Sequence, residues 1–165
     1  MTAPDTGRAR LYSAETVVHR IFDNAAAGAN QLTVGGTTVT VPAEAKFATV
    51  ESMQRYVDSV LAMGPVAELA GGKPTSVRVR ARRGSTAAHY EREAATIAVP
   101  MQSDARWAQR ELVLLHELAH HLDRGDGPSH GRDFVRGYVD LAEAVMGPEA
   151  AFIMRITFAE NGVRL

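Results

Sequence analysis

The chain of 165 residues contains no cysteine. That absence excludes disulfides, thiolate metal sites and a cysteine nucleophile, and it fits a reducing compartment. Charge of one sign is also missing: Lys+Arg 18 stand against Asp+Glu 19, a net −1, so bulk electrostatics select neither nucleic acid nor an anionic membrane. No apolar run approaches the roughly 18 residues that a membrane span needs. Met1–Arg10 holds no stretch of signal-peptide character, so a flexible start and a cytoplasmic location are expected. Aromatic residues are few, at 6%, yet apolar residues reach 45%, enough for the core of one globular domain spanning residues 1–165.

The most informative stretch is the apolar run Glu111–Asp123, which contains His116-Glu117-Leu118-Ala119-His120. On a helix, side chains four apart share a face, so His116 and His120 project side by side. Two imidazoles so placed can bind one tetrahedral zinc with Zn–N bonds of roughly 2.0–2.1 Å. Glu117 borders the same face and stands where a carboxylate can take a proton from a metal-activated water. The plainer alternative is an amphipathic core helix whose histidines are merely hydrogen-bonded.

A catalytic zinc needs a third protein ligand and an open position. His130 follows His120 by ten residues, beyond the loop Arg124-Gly125-Asp126-Gly127-Pro128, and is expected just inside a helix capped by Ser129. The loop lets the chain double back, so His130 can approach His116 and His120 from the side. His121 lies about 100° round from His120 and fits a supporting or surface role. Glu143 could substitute for His130 if that ring pointed away. Asp123, Asp126 and Asp133 are candidates for caps, turns or partners of a ligand's second ring nitrogen.

Elsewhere the pattern alternates helix and strand. Ser13 reads as the N-cap of a helix over Ala14–Ala27, and Gln31–Val34 and Thr37–Val41 flank Gly35-Gly36 as a hairpin. Thr49 or Ser52 opens a second helix ended by Gly64-Pro65. Ser76–Arg82 alternates as a half-exposed strand, and Ala88–Pro100 reads as another, clearest at Ala95–Val99. Ser103 or Asp104 is expected to cap the motif helix, running to Asp123. Two further helices follow, divided by Gly147-Pro148, the last over Glu149–Ala159. Between Lys73 and Glu93, six cations (Lys73, Arg78, Arg80, Arg82, Arg83, Arg92) face two anions (Glu91, Glu93), a local excess that could guide nucleic acid. No aromatic interleaves these arginines, and a solvated strand face accounts for them equally well.

His116-Glu117-Leu118-Ala119-His120 followed by Ser129-His130-Gly131-Arg132-Asp133-Phe134 resembles the HExxH…HGxxF pattern of SprT-like zinc metallopeptidases, and is similar to a group of actinobacterial metallohydrolases. The resemblance covers Leu112 to Leu141. It implies an α+β, zincin-like fold: a small antiparallel or mixed sheet against helices that include the motif helix, with an edge strand beside the cleft. It implies one zinc ion held by His116, His120 and His130, Glu117 as the base, Gly131 for close packing and Phe134 as an anchor in the core. The cysteine-rich ribbon that many members carry has no counterpart here, nor do the early hairpin and leading helices match that pattern.

A zinc peptidase acting on a peptide or protein substrate is therefore the leading expectation. His89, Tyr90, Tyr138 and Arg132 are candidate oxyanion donors, and an extended substrate could pair with the Ala88–Pro100 strand were it a free edge. A catalytically silent metal-binding module of the same fold is the alternative. The intact Glu117 speaks against it, since a purely structural site has no use for that carboxylate.

Overall fold

The computed structural model describes residue 5 and residues 7–165. The expectation of a flexible start falls partly on residues 1–4 and 6, outside the described part. The chain divides into two compact units, one formed by Met1–Glu44 with Arg124–Leu165, the other by Ala45–Asp123. The elements are a mixture of helices and small sheets, in keeping with the α+β expectation.

The first unit is mainly helical. Its α1 (Arg8–Ala26) begins a turn and a half before the expected Ala14, because Leu11 and Ala14 continue the buried face of Val18 and Phe22. Ser13 lies inside this helix and returns its hydroxyl to the carbonyl of Ala9 at 3.0 Å, so it caps nothing. The hairpin is as read: β1 (Gln31–Val34) pairs antiparallel with β2 (Thr37–Thr40) around Gly35 and Gly36, both at positive φ. α5 (Arg132–Met146) and α6 (Pro148–Glu160) meet at Gly147, whose φ of 100° turns the chain, and α1 packs on α6. Phe134, Tyr138 and Phe158 run through the core, with successive ring centroids 6.3 and 6.4 Å apart.

The second unit is a three-stranded sheet with helices. α2 (Val50–Leu61) is capped by Thr49, whose hydroxyl accepts from the Ser52 N–H while the Ser52 hydroxyl receives the Thr49 N–H, so both suggested start residues take part. Gly64-Pro65 ends no more than the loop after it, since Pro65 sits in the first turn of a short α3 (Gly64–Leu69).

β3 (Arg78–Arg82) runs parallel to β5 (Thr96–Pro100), and β4 (His89–Glu91) runs antiparallel to it, in the order β3-β5-β4. The segment Ala88–Pro100 is thus two strands and a tight turn, with Ala95 at φ 44°. β5 is buried throughout and paired on both sides, so it is no free edge. The outer strand beside the motif helix is β4.

The motif helix is also shorter than its apolar pattern suggests. Ser103–Ala108 forms a separate 3-10 turn, and α4 proper is Glu111–Leu122. Between them Arg110 is extended and bridges Lys46, the Gln109 carbonyl accepts from Phe47, and the Glu111 N–H donates to Ala45. Strand-like pairing with residues 45–47 thus takes the backbone groups that a continuous helix would have used. The buried Glu111 carboxylate fixes this junction, accepting the Ala45 N–H at 2.8 Å and the Tyr56 hydroxyl at 2.5 Å.

Candidate metal centre

α4 buries Glu111–Ala119 without a gap, and Leu112, Leu114, Leu115 and Leu118 are wholly inaccessible. A helix apolar on nearly every side cannot turn its histidines to water, so His116 is 4% exposed and Glu117 5%. His120, one turn on, is half-buried, and its ring centroid lies 5.0 Å from that of His116. The spacing that the sequence promised is met.

His130 precedes α5 rather than starting it. It sits in the turn between Pro128 and the N-cap Gly131, and Ser129 caps no helix. A Cβ on Gly131 would meet the Pro128 carbonyl oxygen at 3.1 Å, so the glycine allows this turn to close on itself. Phe134 is buried, as expected of an anchor, with its ring 5.3 Å from that of His130.

The partner of the His130 ring was not foreseen. Nδ1 of His130 lies 2.5 Å from Oδ2 of Asp5, a residue in the stretch expected to be flexible. Gly7 lies against the same loop, so close that a Cβ there would stand 2.8 Å from the His130 carbonyl oxygen. Asp5 is a carboxylate other than the suggested Asp123, Asp126 and Asp133. A carboxylate on one imidazole nitrogen favours the tautomer that carries the proton there and the lone pair on Nε2. Nothing in the sequence pointed to Asp5, which is 125 positions away from its partner.

His116 and His120 thus share one face of α4 in the second unit, and His130 is presented by the turn before α5 in the first. The donor types suit zinc: imidazoles, one of them oriented by a carboxylate, in a sequence without cysteine.

The rivals are otherwise engaged. His121 gives Nε2–H to the Thr75 carbonyl at 2.8 Å and its Nδ1 faces the Tyr90 hydroxyl at 2.8 Å, so neither nitrogen is available. Glu143 is bound by Arg155 at 2.6 Å. Of the suggested oxyanion donors, Tyr138 is buried in the core and His89 lies between Arg82 and Glu91. Arg132 donates its Nε to the Leu165 oxygen, and Tyr90 is committed to His121.

Burial pushes the Tyr90 hydroxyl above its ordinary value, against the smaller pull of Arg92. The arginine-rich strand is partly self-satisfied. Arg80 pairs with Glu91, and this bond, with that from His89, holds the Glu91 carboxyl below its usual range. Arg82 donates to the Ala87 carbonyl.

No helix among the described residues is long and apolar enough to cross a membrane. No protein-family model, curated protein or solved structure matches the chain.

Proposed function

We propose that the protein is a zinc-dependent peptidase of the SprT-like, zincin type, with His116, His120 and His130 holding one ion and Glu117 acting as the base. The observation that carries this reading is the His116–His120 pair on α4, with ring centroids 5.0 Å apart and the buried Glu117 next to His116 on the same helix. Zinc bound there would supply a Lewis acid that makes water more acidic and a carbonyl more electrophilic.

The protein's own residues do the rest. Asp5 holds the His130 ring in the tautomer that presents Nε2. Glu117 takes the proton from the attacking water and delivers it to the departing amine, so one carboxylate serves both halves of the hydrolysis. Its burial limits competition from bulk solvent for that proton. β4, the outer strand next to α4, offers unpaired backbone groups with which an extended peptide can align.

Glu117→Gln is the decisive variant. It should retain zinc at full stoichiometry and lose turnover of an unstructured protein substrate by about 10²–10⁴-fold. Wild-type activity should vanish on chelation and return with zinc. Undiminished turnover in Glu117→Gln would falsify the assignment of the base.

A further inference from the structure

Alongside the turn that carries His130, within the unit of residues 1–44 and 124–165, lies a cavity of about 450 Å3. Its walls include Arg10, Arg132 and Arg164, and among the described residues no acidic one lines it. Arg10 donates to the Gly162 carbonyl at 3.2 Å and Arg132 gives its Nε to the Leu165 oxygen at 2.7 Å. Neither bond is to a carboxylate side chain. Among the described residues none of the three arginines pairs with an acidic side chain, although the chain carries as many acids as bases to within one.

The three arginines are exposed at the opening, where their guanidinium groups can reach a ligand from solvent. α1 and α5 both start at the cavity, since their N-caps Gly7 and Gly131 line it, and neither has a side-chain cap. Helix starts carry partial positive charge and favour acids in the first turn. α1 has no acid there and instead places Arg8 and Arg10, whereas α5 carries Asp133 in its first turn.

We propose that this cavity is a binding site for an oxyanion, a phosphate or carboxylate group carried by a small ligand. Planar guanidinium groups offer paired N–H donors that match the oxygens of either group. The volume falls in the range of small-molecule sites, roughly 300–1,000 Å3, so the anion can bring a substituent with it. His130 also lines the cavity, so the anion would lie beside a proposed metal ligand, but the site does not rest on the peptidase reading, because the arginines and not a metal hold the ligand.

The test is calorimetric titration of the metal-loaded protein with inorganic phosphate and, separately, with glutarate. Arg164→Gln serves as the main variant because Arg164 is exposed and, among the described residues, no hydrogen bond of its side chain is seen. Saturable binding with a Kd of about 1 mM or tighter is expected for one probe or both. It should weaken at least tenfold in Arg164→Gln and disappear in Arg10→Gln/Arg164→Gln, while the backbone amide signals of Arg132 and Asp133 shift on titration. Should the double variant unfold, Arg164→Gln alone decides. Binding of phosphate only assigns a phosphate ligand, and binding of glutarate only assigns a carboxylate. Failure of both probes to saturate overturns the proposal, as does binding that Arg164→Gln leaves unchanged, which would place the anion elsewhere, on the metal for instance.

Discussion

A histidine that ligates through one nitrogen is only as good as the group that holds its other nitrogen. For His130 that group is Asp5, which reaches it from the far end of the sequence. Asp5→Asn should lower zinc affinity by about 10–100-fold, measured by chelator competition, with the far-UV circular dichroism unchanged. An affinity equal to wild type would show that the turn alone orients the ring. A second expectation concerns Tyr90, whose folded-state pKa is raised by burial. A raised value means the folded protein holds that proton more tightly, so the associated stability is complete below about pH 10 and is lost as pH climbs through the higher folded value. Urea midpoints measured across that alkaline range should fall less steeply in Tyr90→Phe than in the parent; parallel decline would remove Tyr90 as a contributor. Residues whose chemistry depends on near neighbours were readable from the sequence: His116, Glu117 and His120 lie within five consecutive positions of one helix. Asp5 was not, because its partner is chosen by the fold.

Between residues and the whole chain stand the elements, and here apolar periodicity proved a better guide to existence than to ends. It placed α2, α5 and α6 closely, since capping residues and Gly147-Pro148 punctuate them. It joined the 3-10 turn to α4, because nothing local shows that Gln109–Glu111 will be claimed by residues 45–47. It also merged β4 with β5, since the turn between them contains no glycine or proline and bends at Ala95 instead. That turn yields a test. A non-glycine residue in the left-handed region costs about 1–2 kcal/mol, and glycine in place of alanine costs the unfolded chain's extra entropy of about 0.5–1 kcal/mol. Ala95→Gly should therefore stabilise the protein by up to about 1 kcal/mol, read from the denaturant midpoint, and a loss of stability would mean that the alanine methyl packs usefully.

At the scale of the molecule, the first unit draws on both ends of the chain and the second on its continuous middle. Such a partition is invisible to local pattern, because it is fixed by packing such as that of α1 on α6, whose residues lie more than a hundred positions apart. The α+β character was legible, because β-branched runs with turn glycines and long amphipathic stretches coexist. A bound ion stabilises the state that binds it by RT ln(1 + [L]/Kd), about 4 kcal/mol at a thousandfold excess over Kd. Chelation should lower Tm accordingly, and His130→Ala should abolish the difference between loaded and stripped protein. A Tm indifferent to chelator would argue against a resident metal.

α4 carries three imidazoles within six positions, and one of them, His121, is wired at both nitrogens to Thr75 and Tyr90. That makes it a built-in spectator. In imidazole-selective spectroscopy it should supply a reference signal on the same helix, steady through metal titration while its neighbours move.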